Sequence, residues 1–429
     1  MSGIGIGFNG ADAGGRPAGG LYYGWYIVAV AFLGNFMSTG TSFYIFNAFM
    51  LPLCEARGWT RAQINIAPML GYFFGLAAQF YYGTVFHRWG PRWLMPLGAV
   101  VSCACFFQMG RVREIGLFYF FYILLYLGHG AMGGLVANVM VSNWFVRNRG
   151  RALGLATTGI SLSGVVLPYL ALVLLRHTSL EMAFTWIAVL ILLVGPVAGL
   201  VARTSPESCG LLPDGLPRPA GLDPESRMPV RALDLWDGPE WTLRQTAGCS
   251  AVWRLGLAYA LAMMVGAGVM YQLAPRFQDQ GFDQATAMTL TVLVAGLAAG
   301  GKYLWGWLCD RTEPRRVVAV LMLAQAVGLG LGLWPGGTPA LVLFMLVFGV
   351  AAGGMMATYP ILAADLFGRS QFPQVYRFLI LFLGLQGFGY LMMGQSFSLT
   401  GSYDLAYGGF IVLSLLAAGL IAGLKRPAG

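Results

Sequence analysis

Lys302 is the residue whose type and setting most strongly suggest chemistry. It ends the run Ala295-Gly296-Leu297-Ala298-Ala299-Gly300-Gly301-Lys302, followed by Tyr303-Leu304-Trp305-Gly306, and the only other lysine, Lys425, stands near the C-terminus. A cation within a membrane-spanning helix costs about 2.5–3.5 kcal/mol on insertion scales, so such a residue generally faces a cavity or a partner and carries function. The chemistry it offers is electrostatic capture of an anion. Snorkelling toward Asp310 and the membrane surface is the bland alternative. No Asp or Glu falls inside the apolar runs, since Asp310 and Asp365 stand at their ends. The ammonium therefore lacks a built-in counter-ion, and an anionic ligand would supply it. At an effective dielectric near 20, opposite charges ~4 Å apart attract by about 4 kcal/mol before desolvation is counted.

Other polar groups share these apolar runs. His129, within Leu127-Gly128-His129-Gly130, titrates near physiological pH when unperturbed. It is a candidate carrier of a coupling proton, or else a neutral ring bonded to a neighbouring helix. Asn35, Gln272, Tyr359 and Gln386 are candidates to line a cavity beside Lys302, and each also fits an interhelical hydrogen bond. Tyr359 stands six residues before Asp365, which puts it at about the depth of Lys302.

Enzyme chemistry has no footing. The three histidines, His87, His129 and His177, lie in separate segments, and no intramembrane Asp pair, Ser–His dyad or His-rich cluster accompanies them. The six cysteines (Cys54, Cys103, Cys105, Cys209, Cys249 and Cys309) show neither zinc nor disulfide-framework spacing. No metal and no cofactor are expected. Pairs such as Gly296/Gly300, Gly349/Gly353 and Gly195/Gly199 read as helix-packing devices.

The elements that must position these residues follow from composition. Of the 429 residues, 57% are hydrophobic and only 10% are charged, against about 25% charged in an ordinary globular chain. Most of the exterior must therefore face lipid. Disorder and nucleic-acid binding are excluded, because aromatic and branched residues abound and the basic residues form no long run. About 20 apolar residues span the hydrocarbon as a helix, and helix is the open-chain form that leaves no backbone polar group unpaired in lipid. Twelve stretches qualify: 24–50, 63–85, 93–110, 116–142, 152–175, 182–202, 253–275, 285–309, 317–334, 339–364, 377–396 and 406–424.

The expected organisation is an N-terminal tail (1–23), a six-helix half (24–202), a Pro-rich linker (203–250), a second six-helix half (251–424) and a short tail (425–429). Residues Glu240-Trp241-Thr242-Leu243-Arg244 at the end of the linker suggest a short amphipathic surface helix. The Gly-rich tail with its single cation, Arg16, lacks the pattern of a cleaved signal peptide. With the N-terminus inside, most of the 26 Lys and Arg fall on the cytoplasmic segments, as the positive-inside rule requires. Both termini are then cytoplasmic, the formal charge of +9 reports topology rather than an acidic partner, and the protein resides in the cytoplasmic (inner) membrane as a monomer.

A repeat ties the halves together. Gly83-Thr84-Val85-Phe86-His87-Arg88-Trp89-Gly90-Pro91-Arg92 follows the second stretch, and Gly306-Trp307-Leu308-Cys309-Asp310-Arg311-Thr312-Glu313-Pro314-Arg315-Arg316 follows the eighth. Trp144-Phe145 before the fifth recurs as Leu366-Phe367 before the eleventh, at nearly the same offset. Two such landmarks imply a duplicated six-helix unit in parallel orientation, the arrangement of a carrier whose halves rock about a shared cavity.

The two loops resemble the Gly-x-x-x-Asp-Arg-x-Gly-Arg-Arg signature of the major facilitator superfamily, and the resemblance covers the whole chain. It implies an all-α membrane protein with twelve transmembrane helices in two parallel repeats. It also implies a charge latch built on Gly83, Arg88 and Arg92 and on Gly306, Asp310 and Arg311, with His87 replacing the acid in the first copy. Tyr22-Tyr23-Gly24-Trp25, Trp144-Phe145 with Arg149-Gly150-Arg151-Ala152-Leu153-Gly154, and Pro206-Glu207 with Gly210-Leu211-Leu212-Pro213-Asp214-Gly215 resemble the oxalate–formate antiporter and monocarboxylate transporter branch. That branch carries a substrate-binding arginine four residues before the signature glycine, where Lys302 stands before Gly306. Lysine offers a point charge in place of a bidentate fork. The aspartate of proton-coupled relatives is Ala298 here, and the oxalate exchanger's second cation has no match in 378–389, which suggests a monoanion.

The resemblance thus implies a secondary transporter of a small organic anion, a monocarboxylate, coupled to a proton or a counter-anion. An exporter of larger apolar or amphipathic compounds is the alternative.

Overall fold

A computed structural model describes residues 22–215 and 241–425. The N-terminal tail through residue 21, the middle of the linker (216–240, including Glu240) and the last four residues lie outside the described residues, and with them the expectations placed there. The described chain is helical throughout, and eleven of its helical stretches are long and apolar enough to cross a membrane. The helix Arg61–Trp89, of 29 residues, is also long enough, at ~1.5 Å per residue, to cross a ~30 Å hydrocarbon core. Large apolar side chains such as Tyr169, Leu200, Leu391 and Leu405 are exposed on the outer surface, as lipid contact requires.

Before the linker the chain runs α1 (Gly24–Thr39), a π-helical turn (Gly40–Tyr44), α2 (Phe46–Arg57), α3 (Arg61–Trp89), α4 (Pro91–Met109), α5 (Ile115–Met132), α6 (Leu135–Trp144), α7 (Arg149–His177) and α8 (Leu180–Val201). Boundaries follow local chemistry. A capping box of Thr60 and Gln63 starts α3, proline begins α4, and the Ser179 hydroxyl caps α8. The fourth expected stretch is broken into α5 and α6 at Gly133-Gly134, where Gly134 adopts φ 54.

After the linker come α9 (Leu243–Gly248), α10 (Ser250–Tyr271), α11 (Leu273–Asp279), α12 (Gln284–Arg311), α13 (Pro314–Leu333), α14 (Gly337–Leu381), a 3₁₀ turn (Phe382–Gln386), α15 (Gly387–Thr400) and α16 (Asp404–Ala422). The surface helix expected from residue 240 begins instead at Leu243, because Thr242 and Gln245 form a capping box. The gap expected between the tenth and eleventh stretches, 365–376, is narrower than expected: helix breaks at Gly368, whose φ 75 and ψ 172 are not helical, and the two spans run to Gly368 and from Gln371. Of the proposed packing glycines, Gly353 faces Ala298 O closely, whereas Gly296 and Gly300 face open space and the neighbouring Gly301 makes the contact with Val350.

Helices α1, α3, α4, α5, α7 and α8 pack among themselves, as do α10, α12, α13, α14, α15 and α16. Between the two sets, α7 packs on α12 and α14, while α3 and α6 pack on α14. The start of the linker is fastened to the first set: Trp144 Nε1 donates to Arg203 O at 3.0 Å, and Asn143 Nδ2 to Thr204 O at 3.0 Å. Its end is fastened to the second, where Trp241 N–H donates to Gln371 Oε1 at 2.6 Å and the Trp241 ring meets Phe367 edge-on. The membrane face carrying these segments is called the linker face below.

Candidate functional site

Lys302 lies on α12, 4% exposed. Its Nζ donates to the main-chain oxygen of Thr157, on α7 in the other half, at 3.1 Å. None of the described ion pairs involves it. The helices come close enough because both are stripped of side chains at the crossing: a Cβ on Gly154 would lie 2.8 Å from Lys302 O, one on Gly150 1.9 Å from Gly306 O, and one on Gly306 2.2 Å from Gly150 O. A backbone carbonyl gives the ammonium a hydrogen bond but no opposite charge. Isolated charge in a dry interior is costly, and a neutral carbonyl offsets that cost only in part.

Two turns toward the linker face, the Asp310 side chain is 7% exposed and accepts from the N–H groups of Gly150 at 2.6 Å and Arg151 at 2.9 Å. The Arg151 guanidinium lies 3.8 Å away. A carboxylate at a helix N-terminus is stabilised by unpaired amides and the helix dipole, so Asp310 of one half caps α7 of the other. Arg311 stacks on Trp307 and is exposed, away from this joint.

The first signature copy is built differently. Gly83 packs against the Arg377 side chain, whose Cβ would lie 2.7 Å from an added methyl. Arg377 Nη1 donates to Thr84 Oγ1, and its guanidinium stands 5.1 Å from the Phe80 ring centroid. An arginine from the second half thus grips the first, at the repeat whose acid is replaced by His87. Arg88 is exposed, and Arg92 is bonded within its own half, to Gly199 O at 3.2 Å. Further from the linker face, Asn138 Nδ2 donates to Tyr376 OH at 3.2 Å, Gln386 Nε2 to Tyr72 OH, and Tyr72 OH to Leu383 O at 3.0 Å. These bonds also join the halves.

The remaining expected residues are dispersed. Asn35 spends its amide on Ala156 O at 3.1 Å and its oxygen on Gly134 N–H at 3.0 Å, tying α1, α6 and α7 together. His129 Nε2 lies 3.0 Å from Thr41 Oγ1. The Thr41 hydroxyl already donates to Met37 O at 2.6 Å, which assigns the ring proton to Nε2. Nδ1 has no hydrogen-bond partner among the described residues. Both of these groups belong to the first half. Tyr359 OH donates to Leu379 O at 2.7 Å, and its ring stacks on Tyr259 with centroids 4.1 Å apart. Gln272 is half-buried at the end of α10 remote from the linker face. Of the expected polar set, Gln386 and Lys302 are those whose bonds cross between halves.

Sequence reasoning singles out none of Thr157, Asn138 and Arg377, and Gly150 enters it only within the family phrase Arg149–Gly154. The four-residue spacing of Gly150 and Gly154, matching that of Lys302 and Gly306, is the signal that locates the α7–α12 crossing. Asn138 and Thr157 carry no such mark.

A family model described as Major Facilitator Superfamily matches residues 31–376 and 255–428. Monocarboxylate transporter 11 of Homo sapiens is 29% identical over 332 residues, covering 75% of this chain and 62% of that protein, so the match spans less than two thirds of its length. The glycerol-3-phosphate transporter of Bacillus subtilis is 22% identical over 311 residues, 68% of this chain and 67% of that protein. Among solved structures, the human organic anion transporter MFSD10 superposes with a TM-score of 0.69 at 17% identity, covering 93% of this chain and 99% of that one; at that identity the likeness speaks for fold alone.

Proposed function

The chain is a multi-pass membrane protein of the major facilitator superfamily, a family of secondary transporters, and we propose that its cargo is a small organic monoanion that binds Lys302. The observation that carries this reading is the buried ammonium held by a neutral carbonyl, with none of the described ion pairs joining it to a carboxylate. The names of the relatives, a monocarboxylate transporter and a glycerol-3-phosphate transporter, support an anion as cargo.

In this reading the linker face is cytoplasmic, as the distribution of arginines favours, and it is the closed side. Cargo entering from the opposite face replaces Thr157 O as the partner of Nζ. The bond between α7 and α12 is thereby given up, the Asp310 and Arg377 joints open, and the halves rock to release the anion on the other side. A proton or a second anion resets the carrier. Gln386, which already bridges to Tyr72, is placed to sense the same movement, whereas Asn35, His129 and Tyr359 hold the frame.

Uptake of labelled C2–C6 carboxylates into proteoliposomes tests the assignment. Wild type is expected to accumulate an anion saturably and Lys302→Ala is not; full anion transport by Lys302→Ala sinks the proposal. An exporter of larger apolar compounds would instead leave Lys302→Ala active and show competition by lipophilic molecules.

A further inference from the structure

Helix α7 starts without a cap of its own. Its N-cap residue, Asn148, makes no capping side-chain bond to the helix, yet α7 bears the N–H groups on which the closed linker face depends. The amides ahead of it are claimed by a second carboxylate. Asp214, in the linker turn Pro213–Gly215, accepts from the N–H groups of Val146 at 2.8 Å, Arg147 at 2.7 Å and Asn148 at 3.1 Å, and from Asn148 Nδ2 at 3.2 Å. It does so from φ 56, a left-handed conformation that is uncommon outside glycine. Its turn is in turn held by Tyr22 OH, which shares its one proton between Leu212 O at 3.0 Å and Trp144 O at 3.2 Å.

The loop 146–151 is therefore shared. Asp214, from the linker segment fastened to the same half, holds residues 146–148, and Asp310, from the opposite half, holds 150 and 151. Three consecutive amides aimed at one carboxylate fix the loop's path, and that path decides where the next amides point. We propose that Asp214 is a positioning residue of the gate: none of its described hydrogen bonds reaches the other half, but it sets the loop so that the amides of Gly150 and Arg151 meet Asp310, and so favours the state closed at the linker face. This rests on the alternating-access reading above. The alternative is that Asp214 does no more than anchor the linker, in which case its loss is felt equally in both states.

The two are separated by a double-mutant cycle on the full chain in nanodiscs. The native cysteines are replaced, spin labels are placed at Trp89→Cys and Arg316→Cys, both exposed at the linker face, and the distance distribution is measured by pulsed dipolar spectroscopy. Asp310→Asn is expected to raise the ratio of long to short distances by about tenfold, the scale of a lost charge-assisted bond. Asp214→Ala is expected to raise it several-fold in the wild-type background and by less than half as much in the Asp310→Asn background. The milder Asp214→Asn, which keeps one acceptor oxygen, should fall between and decides the matter if the alanine variant does not fold. Equal shifts in both backgrounds, or none with Asp214 variants where Asp310→Asn responds, overturn the proposal. A distribution that moves with no variant, Asp310→Asn included, overturns the alternating-access reading instead.

Discussion

Lys302 Nζ and Thr157 O, 3.1 Å apart, belong to different halves of the molecule. The atom proposed to attract the cargo is therefore also a fastening between the halves. Removing it should have two effects. Lys302→Ala and Lys302→Gln are expected to lower anion uptake by about tenfold or more, the loss of roughly 1.4 kcal/mol of attraction. They should also abolish the stabilisation a bound carboxylate confers in a thermal-shift assay, about 2.7 kcal/mol at a ligand concentration 100 times Kd. Lys302→Arg keeps the charge but must fit beside Gly154, so partial activity with altered anion preference is expected.

Gly150 and Gly306 tolerate no side chain while the linker face is closed, since either methyl would lie about 2 Å from a carbonyl oxygen of the other helix. Gly150→Ala and Gly306→Ala should each hold the helices apart and shift the carrier toward the opposite opening. Maleimide labelling of a cysteine at Ala152, buried in the closed state, measures this, and an unchanged labelling rate would refute the close approach.

Arg377 grips Thr84 and covers Gly83 and the Phe80 ring. Arg377→Lys keeps the charge but loses the planar fork, and Arg377→Ala loses the packing as well. Transport rate at saturating anion should fall more in the alanine variant, with little change in apparent affinity. A change confined to affinity would instead place Arg377 at the cargo.

His129 and Thr41 form a pair inside the first half. Replacing either, as in His129→Gln or Thr41→Val, should cost stability by about 0.6 kcal/mol, the mean of measured interhelical bonds in membranes, and the double variant should cost less than the sum. The pH profile of uptake by His129→Gln is expected to match wild type. A flattened profile would assign His129 the coupling proton.

The spans were legible because lipid leaves the backbone one solution, and the two signature copies were legible because a duplicated unit repeats its landmarks. Their breaks were harder to read. Between Asp365 and Arg377 the break is confined to the residues around Gly368, and nothing in the composition there tells a one-glycine break from a longer loop. The site was only partly visible. Lys302 stood out as a charge in an apolar run, whereas its partner is a main-chain oxygen, which sequence does not mark. Asn35 and Tyr359 looked like cavity residues because polarity alone does not tell an interhelical bond from a lining position. Arg377 is one of many arginines that the positive-inside pattern alone accounts for, and its contacts come from a helix nearly three hundred positions earlier.

The corresponding corners of the two halves are both tied to the linker, by different chemistry. Between α6 and α7 the chain leaves helix from Phe145 to Asn148 and is splinted by Asp214; at the matching corner, helix breaks at Gly368 and Gln371 Oε1, just beyond it, accepts from Trp241 N–H. The segment joining the twins thus grips each at its bend, with a carboxylate at one end and a neutral amide at the other. A pull on that segment would reach both bends at once.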